Sequence, residues 1–367
     1  MKNEKKIYLQ SPWKTLDSTY YKFLRESPPR GVKYYPFEKA GVLNNAGQIR
    51  INNFLKQLAK KIIKYFYYSM PNAHYTPNAK KYDLIHCAHC LSMNKKPWVC
   101  DIEFVGQFWA RGNFDESSNK KKIMQYVGSK YCKKILAWSE CSKKGILAEF
   151  PGLKNKVEVL FPALPSNVKN IRKDDKIRIL FVGRDFEVKG GTIVVEILDK
   201  LTKKYKNIEG IVISDVPMWV LNKYKNSLIK FYGLISHKKL FEEFYPNVDI
   251  FLYPTFSDTL GFAILEAQSF GLPVVSMKTK STHTIEETIT DGKTGFIIEN
   301  MGTGAGMRIY NKNIIDEISR KIEMLIKDKK LLRLMGKNAM EEIKNGKFSI
   351  RQRNKKLERI YREAIGK

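Results

Sequence analysis

The sequence predicts an α/β protein of two domains, each a parallel β-sheet covered by helices, closed by a long C-terminal helix. Three observations predict it. Short β-rich runs alternate with helical patterns in both halves, the arrangement of parallel strands joined by crossover helices. A polar segment with proline, serine and charges, ALPSNVKNIRKDDKIR, precedes a new apolar strand and separates the halves. The 367 residues, 43% of them hydrophobic, suffice for roughly two buried cores. The boundaries fall at residues 1–168, 169–348 and 349–367.

In chain order, the strands of the first half are KIYLQ, YDLIHC, WVCDIEF, KILAWS and VEVLFP. Between the first two, INNFLKQLAKKIIKYFYYSM has helical periodicity, with Phe54, Leu55, Leu58, Ile62 and Phe66 on one side and Lys56, Lys60 and Lys64 opposite. Such a helix lies either on an anionic membrane surface or on its own domain with a solvated lysine face. The second half reads as strand IRILFVG, a helix over roughly 190–205, strand IEGIVIS, a helix near SLIK and strand KFYGLI. Helix HKKLFEEFY, strand DIFLYP, helix GFAILEAQSFG, then strands PVVSM and TGFII complete it. After Asn311 the pattern is helical, ending in the basic stretch SIRQRNKKLERIYREAIGK.

Lys and Arg number 66 against 37 Asp and Glu, a formal charge of +29. That excess points to an acidic partner: nucleic acid, anionic lipid or a phosphorylated small molecule. No stretch approaches the roughly 18 consecutive apolar residues of a spanning helix. The first residues, MKNEKKIYLQSPWK, lack the apolar core of a secretory signal. These features predict a cytoplasmic protein, at most peripheral on the inner face of the membrane. Five cysteines, all before residue 150, predict reduced thiols rather than a disulfide framework. His86, Cys87, His89 and Cys90 have the chemistry of zinc ligands, but no second cysteine or histidine pair completes a set, so they read as a strand end. His237 after Ser236 reads as part of a local helix cap. Asp174 and Asp175 lie in the lysine-rich linker and do not form a metal clamp.

The chemistry concentrates in FLYPTFSDTLGFAILEAQSFGLPVV, residues 251–275. A buried strand runs into a polar loop, and a helix is predicted from near Leu260 with Asp258 or Thr259 as N-cap. The first amides of a helix, near Gly261 and Phe262, carry partial positive charge and suit a phosphate. Glu266 sits among apolar neighbours, where a carboxylate needs partners such as a pair of sugar hydroxyls. A second segment, FVGRDFEVKGG, ends a strand in a glycine turn bearing Arg184 and Lys189, two cations able to hold a diphosphate.

Together these segments resemble the retaining glycosyltransferases of family 4, over roughly a third of the chain from Ile177 to Ile298. In that family an acidic residue, seven residues and a glutamate mark the donor site. Asp258 and Glu266 have that spacing, with Asp where Glu is common. EAQSFGLPVV matches the E-A-x-x-x-G-x-P-V-V that follows. The resemblance implies the GT-B architecture, two Rossmann-like domains facing a central cleft, with the C-terminal helix crossing back to the first. It implies that Glu266 accepts hydrogen bonds from the nucleotide ribose, that Asp258 lies near the donor sugar, and that Arg184 and Lys189 bind the diphosphate. Where the family places a histidine at a first-domain strand end, this sequence has Glu103, with Asp101 two residues earlier; either can orient or deprotonate an acceptor hydroxyl.

The expected function is metal-independent, hexosyl-type transfer, with retention, from a nucleotide-diphosphate sugar to a hydroxyl of a glycan or lipid-linked acceptor in cell-surface glycan biosynthesis. No cofactor is expected beyond the donor. The surplus charge then favours an anionic membrane or a phosphorylated, lipid-linked acceptor, met by the Lys56, Lys60 and Lys64 helix, over nucleic acid. The competing readings are a basic nucleic-acid-binding protein and a catalytically inactive sugar-nucleotide-binding subunit.

Overall fold

The computed structural model describes residues 4–11, 19–35, 70–111, 117–170, 174–304 and 306–366. The helix predicted around Lys56, Lys60 and Lys64 lies outside them. The chain divides into two compact units, one formed by the described residues through Ala163 together with those from Lys347 on, the other by Leu164–Gly346.

The first unit holds a six-stranded sheet of β1 (Lys5–Gln10), β2 (Val32–Tyr35), β3 (Leu84–Ala88), β4 (Trp98–Ile102), β5 (Cys132–Ala137) and β6 (Val157–Val159). Their order is β6-β5-β4-β3-β1-β2, with every pairing parallel. All residues of β3 and β4 are buried, as in a parallel sheet covered on both faces. Helix α1 (Thr19–Glu26), α2 (Ser117–Val127) and α3 (Glu140–Glu149) follow strands of this sheet. β2 is a strand that the sequence reading did not assign. Its VKYY has only four residues, and what fixes it is pairing with β1, Lys5 opposite Val32.

The second unit repeats the plan with β7 (Ile177–Gly183), β8 (Ile208–Ser214), β9 (Ile229–Tyr232), β10 (Ile250–Tyr253), β11 (Val274–Lys278) and β12 (Gly295–Glu299). The order is β9-β8-β7-β10-β11-β12, again entirely parallel. Helix α4 (Gly191–Lys204) buries Ile193, Val194, Ile197, Leu198 and Leu201, an i, i+3, i+4 stripe, and its last turn carries Lys203 and Lys204 beside the carbonyl end of the dipole. Gly210 in β8 makes that docking possible, since a Cβ there would meet Leu198 Cδ1 at 2.9 Å. The helix expected near SLIK instead occupies Met218–Lys223, and Ile229 and Lys230 enter β9. Pairing with β8, Gly210 opposite Ile229, overrides the weak local pattern of that short run.

Helix α5 (Phe262–Ser269) is followed by α6 (Lys312–Lys327), α7 (Lys329–Lys344) and α8 (Ile350–Ile365). The first two of these three late helices belong to the second unit, whereas α8 is part of the first. Tyr361 places its hydroxyl 2.5 Å from His86 Nδ1 and 2.9 Å from Tyr34 Oη. Lys356 Nζ donates to the Val159 carbonyl at 2.7 Å, and the fully buried Arg353 donates to the Ser27 carbonyl at 2.6 Å. The basic character of α8 is therefore partly internal: these cations satisfy carbonyls of their own unit.

Candidate functional site

In the second sheet the strand order runs outward in both directions from β7 and β10, so their carboxyl ends flank the topological switch point. Open parallel sheets bind ligands there, because the loops diverge and leave a crevice. The loop after β7 carries Arg184 and Lys189, and the loop after β10 carries Asp258 and Gly261. Backbone bonds join the two loops: Phe256 N–H donates to the Val188 carbonyl at 2.9 Å.

Gly190 makes that approach possible. Its φ is +79°, and a Cβ there would lie 2.0 Å from the Pro254 carbonyl oxygen. Lys189 is thereby placed so that Nζ donates to the Ser257 carbonyl and to Asp258 Oδ2, both at 2.8 Å, while the ammonium stands 5.6 Å from the centre of the Tyr253 ring. An ammonium has three N–H donors, and the third finds no acceptor among the described residues. Arg184 is exposed and makes no ion pair with a described residue.

Asp258 is saturated. Oδ2 also accepts from Tyr253 Oη at 2.7 Å, and Oδ1 accepts from the amides of Thr259 at 2.9 Å and Gly261 at 3.0 Å. Burial pushes its pKa up, but the Lys189 ammonium, the Tyr253 hydroxyl and the Gly261 amide outweigh burial and hold it below the usual carboxylate value. Burial, then Asp258, pushes the Tyr253 phenol well above its ordinary value, so it stays a donor. Two expectations change here. The helix begins at Phe262 with Gly261, φ +78°, as N-cap, not at Leu260 capped by Asp258 or Thr259. The Gly261 amide, expected to face an anion, donates to the Asp258 carboxylate.

Glu266 is 7% exposed on α5. Oε1 lies 3.1 Å from His237 Nε2 and Oε2 accepts from Tyr245 Oη at 3.3 Å. Ser236 does cap a helix start, accepting from Lys239 N–H at 3.2 Å, yet His237 also reaches across to Glu266, a contact that the reading of a local cap missed. No signal in the sequence connects residues 29 apart through a side chain. Only the packing of the segment after β9 against α5 makes the pair.

In the first unit the two carboxylates proposed at the end of β4 part company. Asp101, proposed with Glu103 to orient or deprotonate an acceptor hydroxyl, is fully buried, and its Oδ2 pairs with His86 Nε2 at 2.8 Å. Glu103, one residue past the strand, is partly exposed, with Oε1 3.5 Å from His89 Nε2. Its backbone is fixed at both ends: Gln107 Oε1 accepts from its N–H at 2.8 Å, and Ser142 Oγ donates to its carbonyl. His89 has φ +53°, a left-handed backbone uncommon for residues other than glycine. The two histidines of the HCAHC cluster thus serve separate carboxylates, and Cys87 and Cys90 are buried free thiols.

Residues 166–342 match the family described as Glycosyl transferases group 1. The chain is 29% identical over 243 residues to an uncharacterized 41.2 kDa protein in the cps region of Klebsiella pneumoniae, covering 60% of this chain and 58% of that one. It is 27% identical over 260 residues to the capsular polysaccharide biosynthesis glycosyltransferase CapM of Staphylococcus aureus, covering 65% and 64%. The matches therefore span less than two thirds of the length of these curated relatives. Among solved structures, HepE from Anabaena superposes with a TM-score of 0.56 at 14% identity, over 97% of this chain and 99% of that chain. The architecture is thus of GT-B type, and within it residues 166–342 match the group 1 glycosyltransferases.

Proposed function

We propose that the protein is a retaining glycosyltransferase that moves a hexosyl group from a nucleotide-diphosphate sugar to a hydroxyl of a glycan or lipid-linked acceptor, in the synthesis of a cell-surface glycan. The observation that carries this reading is the meeting of Lys189, Asp258 and Gly261 at the switch point of the second sheet, with Glu266 on the helix that follows. The leaving diphosphate gathers negative charge as the anomeric bond breaks. Lys189, with one N–H to give, and the exposed Arg184 supply the opposing charge without requiring a metal, and the Phe262 amide at the start of α5 adds to it. Glu266 receives the ribose hydroxyls. Asp258 acts by holding Lys189 in place, beside the donor sugar. Glu103 of the first unit orients the acceptor hydroxyl, with His89 beside it.

The match to CapM supports an acceptor in capsule-type polysaccharide synthesis, and the structure of HepE solved with UDP and glucose supports testing UDP sugars first. No helix among the described residues is long and apolar enough to cross a membrane. Attachment to an anionic surface through the Lys56, Lys60 and Lys64 segment remains part of the proposal, and retention on anionic liposomes at low salt tests it. The central experiment is a thermal-shift screen with UDP, GDP and ADP sugars, followed by turnover of the stabilising donor. Glu266→Gln and Lys189→Ala should each abolish the shift and most of the turnover. Undiminished turnover in both variants would overturn the site.

A further inference from the structure

We infer that His237 determines specificity for ribose over deoxyribose, acting as a positioning residue through Glu266. The inference rests on the donor-site reading above and extends it to a residue outside the motifs that suggested that site. Two elements meet at one carboxylate: α5 presents Glu266, and the helical run that starts after Ser236 presents His237 to Oε1 at 3.1 Å and, two turns on, the Tyr245 hydroxyl to Oε2 at 3.3 Å. Both donors are themselves held. The His237 ring lies 4.1 Å from the Phe241 ring, and the Tyr245 ring is stacked on Phe270 at 5.4 Å with 20° between planes. Burial, then Glu266, pushes the Tyr245 phenol well above its ordinary value, so it remains a donor to the carboxylate.

A glutamate side chain has three torsions and, left alone, rotates toward whatever donor is present. Gripped at each oxygen by a different side chain of the facing helical run, this carboxylate has one orientation. Each carboxylate oxygen accepts more than one hydrogen bond, so the grip is compatible with a vicinal diol docking on the same two atoms. Rigidity makes the acceptor discriminating. A fixed, mostly buried carboxylate that loses a hydroxyl partner cannot turn to water to recover it, so a ligand lacking that hydroxyl is rejected; a loose carboxylate forgives the loss.

The test measures binding of the full-length protein to uridine, guanosine and adenosine diphosphates, to their 2′-deoxy counterparts, and to inorganic pyrophosphate. Wild type should prefer the ribonucleotide of its own base by about tenfold or more, the scale of one hydrogen bond to a charged group. His237→Ala should cut that preference to about threefold or less and weaken the ribonucleotide, leaving pyrophosphate, which lacks a ribose, unchanged. His237→Gln, which keeps an N–H at a similar reach, should restore most of the preference. An unchanged ribo-to-deoxy ratio in His237→Ala, or equal weakening of nucleotide and pyrophosphate, would overturn the inference while leaving the donor site standing. Failure of wild type to bind any of the three ribonucleoside diphosphates would overturn the donor-site reading and the role of His237 with it.

Discussion

Asp258→Asn isolates the part of the site that the structure describes most fully. The substitution is nearly isosteric, and the amide oxygen can still accept the Thr259 and Gly261 amides that Oδ1 accepts at 2.9 and 3.0 Å. The other side changes: an NH₂ group now faces the Lys189 ammonium and the Tyr253 hydroxyl, which reach Oδ2 at 2.8 and 2.7 Å. The side chains of Lys189 and Asp258 are only 22% and 15% exposed, so solvent screens the lost attraction weakly. Two hydrogen bonds to a charged group are disrupted, each contributing about 1.5–3 kcal/mol, and the displaced Lys189 recovers part of its hydration, which gives a net loss of about 2–3 kcal/mol. At about 2–4 °C per kcal/mol for a domain of this size, the midpoint of thermal unfolding should fall by about 4–12 °C at pH 7. Because the folded-state pKa of Asp258 is depressed, its contribution is present above the unfolded value and is lost as pH falls through the folded one. The gap between wild type and Asp258→Asn should therefore close progressively below about pH 4. Lys189→Met made in the Asp258→Asn background should cost much less than in wild type, since the pair is coupled. A midpoint within about 1 °C of wild type at pH 7, or a gap that persists unchanged into acid, would refute the ion pair as the organiser of this loop.

Gly190→Ala should be among the most damaging single substitutions in the second unit, at about 3 kcal/mol or more, because φ is +79° and the added Cβ would sit 2.0 Å from the Pro254 carbonyl oxygen; an unchanged unfolding midpoint would show that the two loops do not approach so closely. Thiol labelling of the native protein should modify about one cysteine rapidly, Cys141, with all five reacting after unfolding. Burial pushes the thiols of Cys87 and Cys100 well up and that of Cys132 up to about 12, so rapid native labelling of several cysteines would contradict the packing of the first sheet.

The repeated strand and helix pattern was legible because parallel strands covered on both faces need continuous apolar runs, and IRILFVG, IEGIVIS and DIFLYP supply them. Short elements were not legible on the same grounds. VKYY contains too few residues to carry a period, and the run SLIK too few to show that the strand read as KFYGLI starts inside it; pairing with β1 and β8 decides both. The candidate site divides along the same line. Arg184, Lys189, Asp258 and Glu266 stood out because charge at the end of an apolar strand or inside an apolar helix costs free energy unless it has a use. What each charge touches was beyond local reading.

The sequence by itself determined the class of fold, the switch-point loops and the types of charge they hold, since these follow from local periodicity and from residue chemistry. Only the tertiary structure decided that Asp258 is consumed by Lys189, Tyr253 and two amides, that Asp101 is sealed against His86 while Glu103 reaches the surface, and that His237 grips Glu266. The physical reason is range. Periodicity and capping act over a few residues, whereas a hydrogen bond between side chains depends on which elements pack together, and that is settled by burying the whole apolar surface at once.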